Sequence, residues 1–362
     1  MSGPSATGGA PHMAAPLETD AVVIGAGPVG LFQVFQLGLL EIRTHLVDAL
    51  PAPGGQPAEL YPDKPIYDVP GVPVCTGREL TASLLRQIAP FQVPMHLGQE
   101  VTTLERQADG RLLLTTSRGT ALLTRTVFIA AGVGAFQPRT LKLDGLAAFD
   151  GTQLFHHQPE PAATAGEDVV VLGSEASAID CALACARPGS GRASRVRLVH
   201  RRDHFDADAG ALAALADARA SGAVEVVIGQ PVGIEQADGR LCALQLATPD
   251  GQVVPLQLSR LLLALGLSPR LGPLAHWGLA MERKQLRVNT EAFATAEPGI
   301  YAVGDINTYP GKRKLLVCGF HECTLAAYDA AARLRPDQPL LLQYTTTSPR
   351  LHRLLGVAPV AG

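Results

Sequence analysis

The chain has 362 residues, 47% of them hydrophobic and 17% charged, with 37 glycines and a formal net charge of −3. That length exceeds one ordinary core and suits two domains of typical size, and the composition is that of a compact α/β protein rather than a disordered one. The charge balance lacks the basic excess of a nucleic-acid binder, and no run approaches the ~18 apolar residues that a membrane span needs.

Met1 to Pro16 is rich in Gly, Ala, Pro and Ser, with neither a basic flank nor an apolar core. It reads as a disordered leader rather than a signal peptide, with Met13 as an alternative start or a cloning scar, and a cytoplasmic protein is expected. The six cysteines, at 75, 181, 185, 242, 318 and 323, form no Cys-x-x-Cys and no zinc-ligand spacing. They are expected to be buried small apolar residues in a reducing compartment, and no metal site is expected.

Ala21 to Ile24 reads as a short buried strand. Gly25-Ala26-Gly27-Pro28-Val29-Gly30 follows, then an apolar helix to about Leu40, and a second strand, Thr44 to Val47, that ends in Asp48. A Gly-x-Gly-x-x-Gly alone is a weak signal. Here it follows a strand, opens a helix and has an acid 18 residues beyond Gly30, the pattern of a dinucleotide site. Gly25 permits the tight turn, Gly27 lets backbone approach a pyrophosphate, and Gly30 lets helix and sheet close up. The helix N-terminus beginning at Pro28 offers amide donors and a positive dipole end to phosphates, and Asp48 would accept ribose hydroxyls.

Pro51 to Pro73 has little periodicity and is longer than an ordinary connection, which favours a functional loop. A helix from about Arg78 to Pro90 and strands near Glu100–Glu105, Leu112–Ser117 and Thr126–Ala130 come next, separated by turns at Asp109-Gly110 and Arg118-Gly119. A second strand–glycine–helix unit starts at Val169, about 150 residues after the first, with its helix from about Ala176 to Ala186 and its next strand at Val196 to Val199. Arg187 to Arg195 reads as an exposed loop. Further strands are expected at Val224–Ile228, Leu241–Ala247 and Leu261–Ala264. Two nucleotide-binding domains, one inserted in the other, account for this order. Near the end, Thr295 to Asp305 is a buried strand that delivers Asp305 just past Gly304.

Several stretches together identify a resemblance: Gly-Pro-Val-Gly-Leu-Phe (27–32), Pro-Gly-Gly-Gln (53–56), Leu-Tyr-Pro-Asp-Lys-Pro-Ile-Tyr-Asp (60–68), Ala-Ala-Gly-Val-Gly-Ala-Phe-Gln-Pro-Arg (130–139), His-Arg-Arg-Asp (200–203), Gly-Leu-Ser-Pro (266–269), Trp-Gly-Leu (277–279), Ala-Val-Gly-Asp-Ile-Asn-Thr-Tyr-Pro-Gly-Lys (302–312) and Thr-Thr-Thr-Ser (345–348). From about residue 18 to 358 the chain resembles the thioredoxin-reductase-like ferredoxin/flavodoxin–NADP+ reductases, which lack the redox dithiol. The resemblance implies an α/β fold of two Rossmann-like domains of the thioredoxin reductase-like, two-dinucleotide-binding-domain type. The FAD-binding domain would comprise residues 17–132 and 288–362, with an NAD(P)H-binding-like domain over 133–287. FAD would be the cofactor, with Asp305 bonding its ribityl chain. Tyr61 would stack on one face of the isoalloxazine, and Gly54, Gly55 and Gln56 would hold the ring and ribityl edge. Tyr344 would cover the other face, with Thr345 to Thr347, Thr346 among them, near its N5 edge. In this family the lid commonly comes from the partner subunit of a homodimer. A flavin held between aromatics is shielded from solvent and positioned for hydride or single-electron transfer.

The second glycine turn departs from the family. Where the family has Gly-Gly-Gly-Asp-Ser-Ala for the NADPH pyrophosphate, this chain has Gly173-Ser174-Glu175-Ala176-Ser177-Ala178. Glu175 puts bulk and negative charge where a dianion would lie, and its carboxylate is expected to occupy the helix amides as a built-in phosphate mimic. His200-Arg201-Arg202-Asp203 is retained, and two guanidiniums suit an adenosine 2′-phosphate. The family's following arginine is replaced by Asp206, a swing of two charge units. Both changes oppose NADPH. Three readings therefore stand open. One is a reductase carrying electrons from NADPH through FAD to ferredoxin or flavodoxin. Another is an FAD-dependent oxidase or specialised oxidoreductase fed by its own small-molecule substrate or a protein donor. The third is a non-catalytic FAD-binding protein that uses the scaffold for dimeric interaction. His156-His157 and His321-Glu322 are expected to be structural.

Overall fold

The computed structural model describes residues 15–156, 163–189, 191–338 and 344–357. Nearly all of the expected leader, and His157, lie outside the described residues. The chain forms two compact units, residues 1–135 with 269–362, and residues 136–268.

The first unit begins with β1 (Ala21–Ile24), α1 (Pro28–Leu39), β2 (Thr44–Val47), α2 (Gly55–Leu60), α3 (Gly77–Ile88) and β3 (Met95–His96). A three-stranded antiparallel meander follows, β4 (Val101–Arg106), β5 (Leu112–Thr116) and β6 (Ala121–Thr124), and then β7 (Thr126–Ile129). The second unit contains β8 (Leu154–Phe155), β9 (Asp168–Leu172), α4 (Ala176–Ala186), β10 (Arg195–His200), α5 (Ala209–Ala220) and β11 (Glu225–Ile228). It continues with the antiparallel β12 (Gln230–Ala237), β13 (Arg240–Ala247) and β14 (Val253–Gln257), and with β15 (Arg260–Leu263). The chain then returns to the first unit through β16 (Ile300–Ala302), α6 (Leu316–Leu334) and α7 (Pro349–Leu355).

Each unit is built on a five-stranded parallel sheet, in the order β16-β7-β1-β2-β3 in the first and β8-β15-β9-β10-β11 in the second. Strands buried on both faces explain the unbroken apolar runs. In β1, Ala21 and Val23 face the core shared with the helices, with Leu31 of α1, Leu84 of α3 and Ala326 of α6. Val22 and Ile24 face the opposite core, with Leu112, Leu114 and Leu122 of the meander. The second unit repeats the design. Val169 and Val171 of β9 pack with Ile179 and Ala182 of α4, while Val170 and Leu172 pack with Leu244 and Leu246 of β13.

The return to the first unit comes at residue 269, earlier than the expected 288. The cause is apolar packing, because Leu274, Leu279 and Leu286 are buried in the first unit's meander-side core. Three helices were not anticipated, among them the seven-residue α7 of the tail. α2 lies within the stretch read as loop, and α5 carries only two buried residues, Leu215 and Ala218. All six cysteines are free; Cys75, Cys181, Cys185 and Cys323 are buried, whereas Cys242 and Cys318 are partly exposed. Among the described residues no helix is long and apolar enough to cross a membrane.

Candidate functional site

The turn between β1 and α1 has three glycines with three different causes. Gly25 has φ +111°, and a Cβ there would run into the carbonyl oxygen of Ala130. A Cβ on Gly30 would run into the carbonyl oxygen of Gly25. These two are required by the protein's own packing. Gly27 is not: its φ of −71° and ψ of 178° suit any residue, and an added Cβ would meet only the Cα of Gly55, at 3.8 Å. Nothing in the chain demands glycine here, so the open space beside it is room for a ligand.

The loop after β2 closes over this turn. Gly54 N donates to the Ala26 carbonyl at 2.9 Å. Gly55, at φ +58°, comes so near that its own Cβ would lie 2.8 Å from the Cα of Gly27. Gly55 and Gln56 begin α2, and Tyr61 ends it. Asp48 is buried, and both its carboxylate oxygens accept backbone amides, Oδ2 from Ala26 at 2.5 Å and Oδ1 from Leu50 at 2.7 Å. Burial pushes its pKa up, against the pull of those two bonds. Asp48 thus pins the glycine turn and keeps a second lone pair on each oxygen for a hydroxyl.

The uncapped helices are informative. Thr76, Asp208 and Ser348 each accept a backbone amide at the start of α3, α5 and α7. No side chain caps α1, which leaves its first amides and its positive dipole end open beside Gly27.

Past β16, Gly304 (φ +78°) turns the chain so that Asp305 leaves the sheet beside α1; a Cβ on Gly304 would lie 3.1 Å from the Val29 side chain. The Asp305 carboxylate is half-buried, and no described residue donates to it. Burial raises its pKa while Lys312 and Lys314 pull it down. Burial also raises the Tyr61 pKa, with further pushes from Asp305 and Asp68. Tyr61, Asp305 and the glycine turn are therefore brought to one region of the first unit. A diphosphate fits the open turn, and hydroxyl donors fit the free carboxylate, so the residues present suit FAD.

The tail is placed differently. Tyr344 is 68% exposed. Thr345–Thr347 forms a single 3-10 turn, and α7 buries Leu351. Arg350 donates to the Gly38 carbonyl at 2.9 Å, at the end of α1 remote from Gly27. α1 has 12 residues, so its two ends lie about 18 Å apart. Within one chain the tail is anchored away from the glycine turn.

The second unit holds a cleft of about 400 Å³ at the C-terminal ends of its parallel strands, lined among others by Arg139, Gly173, Ser174, Glu175, His200 and Arg201. Gly173 is required by packing, since a Cβ would run into the Ala264 carbonyl. Glu175 precedes α4 as Gly27 precedes α1, yet its carboxylate does not cap the helix. The expected built-in phosphate mimic is not formed. The side chain turns instead toward Gly266, where an added Cβ would lie 3.4 Å from Glu175 Oε2. Asp206 N donates to the Ser174 carbonyl at 2.7 Å, and Asp206 and Glu175 form a parallel bridge. Arg201 and Arg202 are exposed and form no ion pair among the described residues, while Asp203 pairs with Arg219 at 2.9 Å.

A family model described as pyridine nucleotide-disulphide oxidoreductase matches residues 19–328. A ferredoxin–NADP reductase of Paracidovorax citrulli is 61% identical over 349 residues, 94% of this chain and 97% of that protein. One of Polaromonas naphthalenivorans is 56% identical over 344 residues, 94% of this chain and 93% of that protein. The chain belongs to the ferredoxin–NADP reductase family. It is an FAD-dependent oxidoreductase. Its fold is that of thioredoxin reductase from T. acidophilum (TM-score 0.56, 17% identity, 88% of this chain and 99% of that one). The bacillithiol disulfide reductase of Staphylococcus aureus shares it too (TM-score 0.59, 17% identity, 89% and 100%).

The expected structural role of Glu322 takes the form of a buried hub whose partners the sequence left unassigned. Glu322 is fully buried in α6. Its Oε2 accepts from Gly304 N at 2.6 Å and Asn307 Nδ2 at 2.8 Å. Its Oε1 accepts from the Tyr309 hydroxyl at 2.9 Å and pairs with Lys312 Nζ at 2.5 Å. Lys312 also donates to the Gly304 carbonyl at 2.9 Å. The hub straps residues 304–312 to α6 and fixes where Asp305 points. His321, its neighbour, is exposed and packs edge-on against Phe293. The one sequence signal for the hub was a lysine, a tyrosine and an asparagine gathered within 307–312 ahead of a helical glutamate.

Proposed function

We propose that the protein transfers electrons from NADPH to a ferredoxin or flavodoxin, working in the cytoplasm as a homodimer. The observation that carries this reading is the pairing of an open, uncapped glycine turn at Gly27 with a free, half-buried Asp305 carboxylate in the same unit. Bound FAD supplies the capacity to accept electrons in pairs and release them singly. The protein's part is placement. Gly25 to Gly30 and the N-terminus of α1 would hold the diphosphate, Asp48 the adenosine ribose, and Asp305 the ribityl hydroxyls. Gly55, Gln56 and Tyr61 would border the ring and exclude water from one side. In the second unit, Arg201 and Arg202, which form no ion pair among the described residues, carry cations for a 2′-phosphate, and the uncapped start of α4 offers amides to the diphosphate.

The exposed Tyr344 supports the dimer. Its tail is anchored at the far end of α1, so Tyr344 and Thr346 are available to cover the flavin of a second copy. The competing reading, an oxidase that has abandoned the nucleotide, loses one of its supports, because Glu175 leaves the α4 amides uncapped. The test is anaerobic addition of NADPH to the purified protein, followed by addition of oxidised ferredoxin. Loss of the flavin's visible absorbance and its recovery with ferredoxin are expected. A flavin-containing protein that NADPH leaves oxidised overturns the reading.

A further inference from the structure

The two glycine turns of this chain are built alike and differ at their third residue. Gly27 and Glu175 both precede a helix in extended backbone, at φ −71°, ψ 178° and φ −97°, ψ 172°. Any residue adopts either conformation, so what distinguishes them is the space and charge they present to a ligand.

At Glu175 three observations combine. The carboxylate is exposed and has no hydrogen bond or ion pair among the described residues. It lines the same cleft as Arg139, His200 and Arg201. The parallel bridge to Asp206 brings a second unpaired carboxylate residue alongside, with Asp206 exposed as well. The α4 amides, just past Glu175, stay uncapped. A diphosphate reaching those amides must therefore settle beside at least one carboxylate, whereas a phosphomonoester on the arginine side meets cations.

We infer that Glu175, seconded by Asp206, is a specificity-determining residue of the second cleft. It opposes the diphosphate bridge of a nicotinamide dinucleotide and makes capture depend on the 2′-phosphate held by the arginines. Capture of NADPH is consequently weak, and capture of NADH weaker still, because NADH meets the same carboxylates without the compensating monoester. The inference rests on the reading of this cleft as the NADPH site.

The experiment is calorimetric titration of the FAD-loaded protein with NADP+ and, separately, with adenosine 2′-monophosphate, which has no diphosphate. Glu175→Gly and Glu175→Gln should both tighten NADP+ by about tenfold or more, about 1.4 kcal/mol, and leave the monophosphate's affinity within about twofold. Asp206→Asn should act in the same direction and less. Glu175 is exposed and uncapping, so each variant is expected to fold. Tightening by Glu175→Gly alone means that bulk rather than charge decides, and overturns the inference. So does unchanged NADP+ affinity in both variants. Arg201→Ala separates this from the underlying reading: if it weakens neither ligand, the cleft is not the NADPH site, whatever the Glu175 variants show.

Discussion

The turns at 25–30 and 173–178 show which glycines a strand–turn–helix unit needs for itself and which it needs for a ligand. Gly25 and Gly173 serve the fold, since each lies against a carbonyl of the neighbouring strand, Ala130 and Ala264 respectively. At the sixth position the units differ. Gly30 lies against Gly25, whereas Ala178 carries a methyl that a Cβ on Gly173 would approach to 2.6 Å. At the third position one unit is open and the other carries a glutamate. The repeat has kept glycine at the first position, where packing demands it in both units, and has varied the third, which a ligand would meet.

The largest expected effect comes from forcing the first turn to resemble the second at its sixth position. Gly30→Ala places a methyl against the Gly25 carbonyl, and overpacking of this kind should cost about 3 kcal/mol or more. The reverse change, Ala178→Gly, should cost only about 1 kcal/mol from backbone entropy in the helix. Urea midpoints of the two variants measure the asymmetry. Equal losses would mean that the turns are packed alike after all.

Comparable in size is the effect of the hub at the first site. Glu322→Ala leaves Lys312 buried without its partner and frees the Gly304 amide, a loss of about 3–5 kcal/mol. Glu322→Gln keeps an oxygen for Gly304 and should lose less. Both should release FAD more readily in proportion, as followed by flavin fluorescence on dilution.

Gly27→Glu writes the second turn's third residue into the first. The backbone there suits glutamate and the Cβ has room, so unfolding should change by no more than about 0.5 kcal/mol. FAD affinity, in contrast, should fall by about tenfold or more. A Gly27→Glu protein that purifies with its full complement of FAD would falsify the assignment of this turn to the diphosphate.

Much of this comparison was legible in the residues alone. Unbroken apolar runs such as Val169 to Leu172 announced strands covered on both faces, and the spacing from Gly30 to Asp48 announced the nucleotide turn. What escaped has physical reasons. The direction of the Glu175 side chain depends on Gly266, far along the chain, so the turn's own sequence suggested a helix cap that the structure does not make. Glu322 looks like any helical glutamate until folding surrounds it with four donors. α5 is alanine-rich and buries only Leu215 and Ala218, so it lacks the apolar stripe that marks an amphipathic helix. The early return to the first unit depended on packing of Leu274 and Leu279 across the meander, which no local pattern encodes.

The smallest effect concerns acid. The strand that carries Asp48 also carries His45, whose Nδ1 lies 2.9 Å from Nε2 of His96 on β3. The two rings stack at 5.2 Å, and Asp48 N donates to the His96 carbonyl at 3.0 Å. Burial lowers both histidine pKa values, and His96 lowers that of His45 further. The unfolded chain therefore binds protons more readily than the native one, and stability rises with pH through this region. It is complete above the ordinary histidine value of about 6.5 and falls away as the pH drops toward the lowered native values. Protonation of both rings also removes the acceptor from their hydrogen bond. Both side chains are partly open to solvent, so the loss should be modest, a few tenths of a kcal/mol to about 1. Thermal melts of the FAD-loaded protein from pH 7.5 to 5 should show it, and His96→Gln should flatten the slope while leaving stability at pH 7.5 close to the parent's. A slope that persists unchanged in His96→Gln assigns the acid sensitivity to other groups and removes this pair from the difference between the two units.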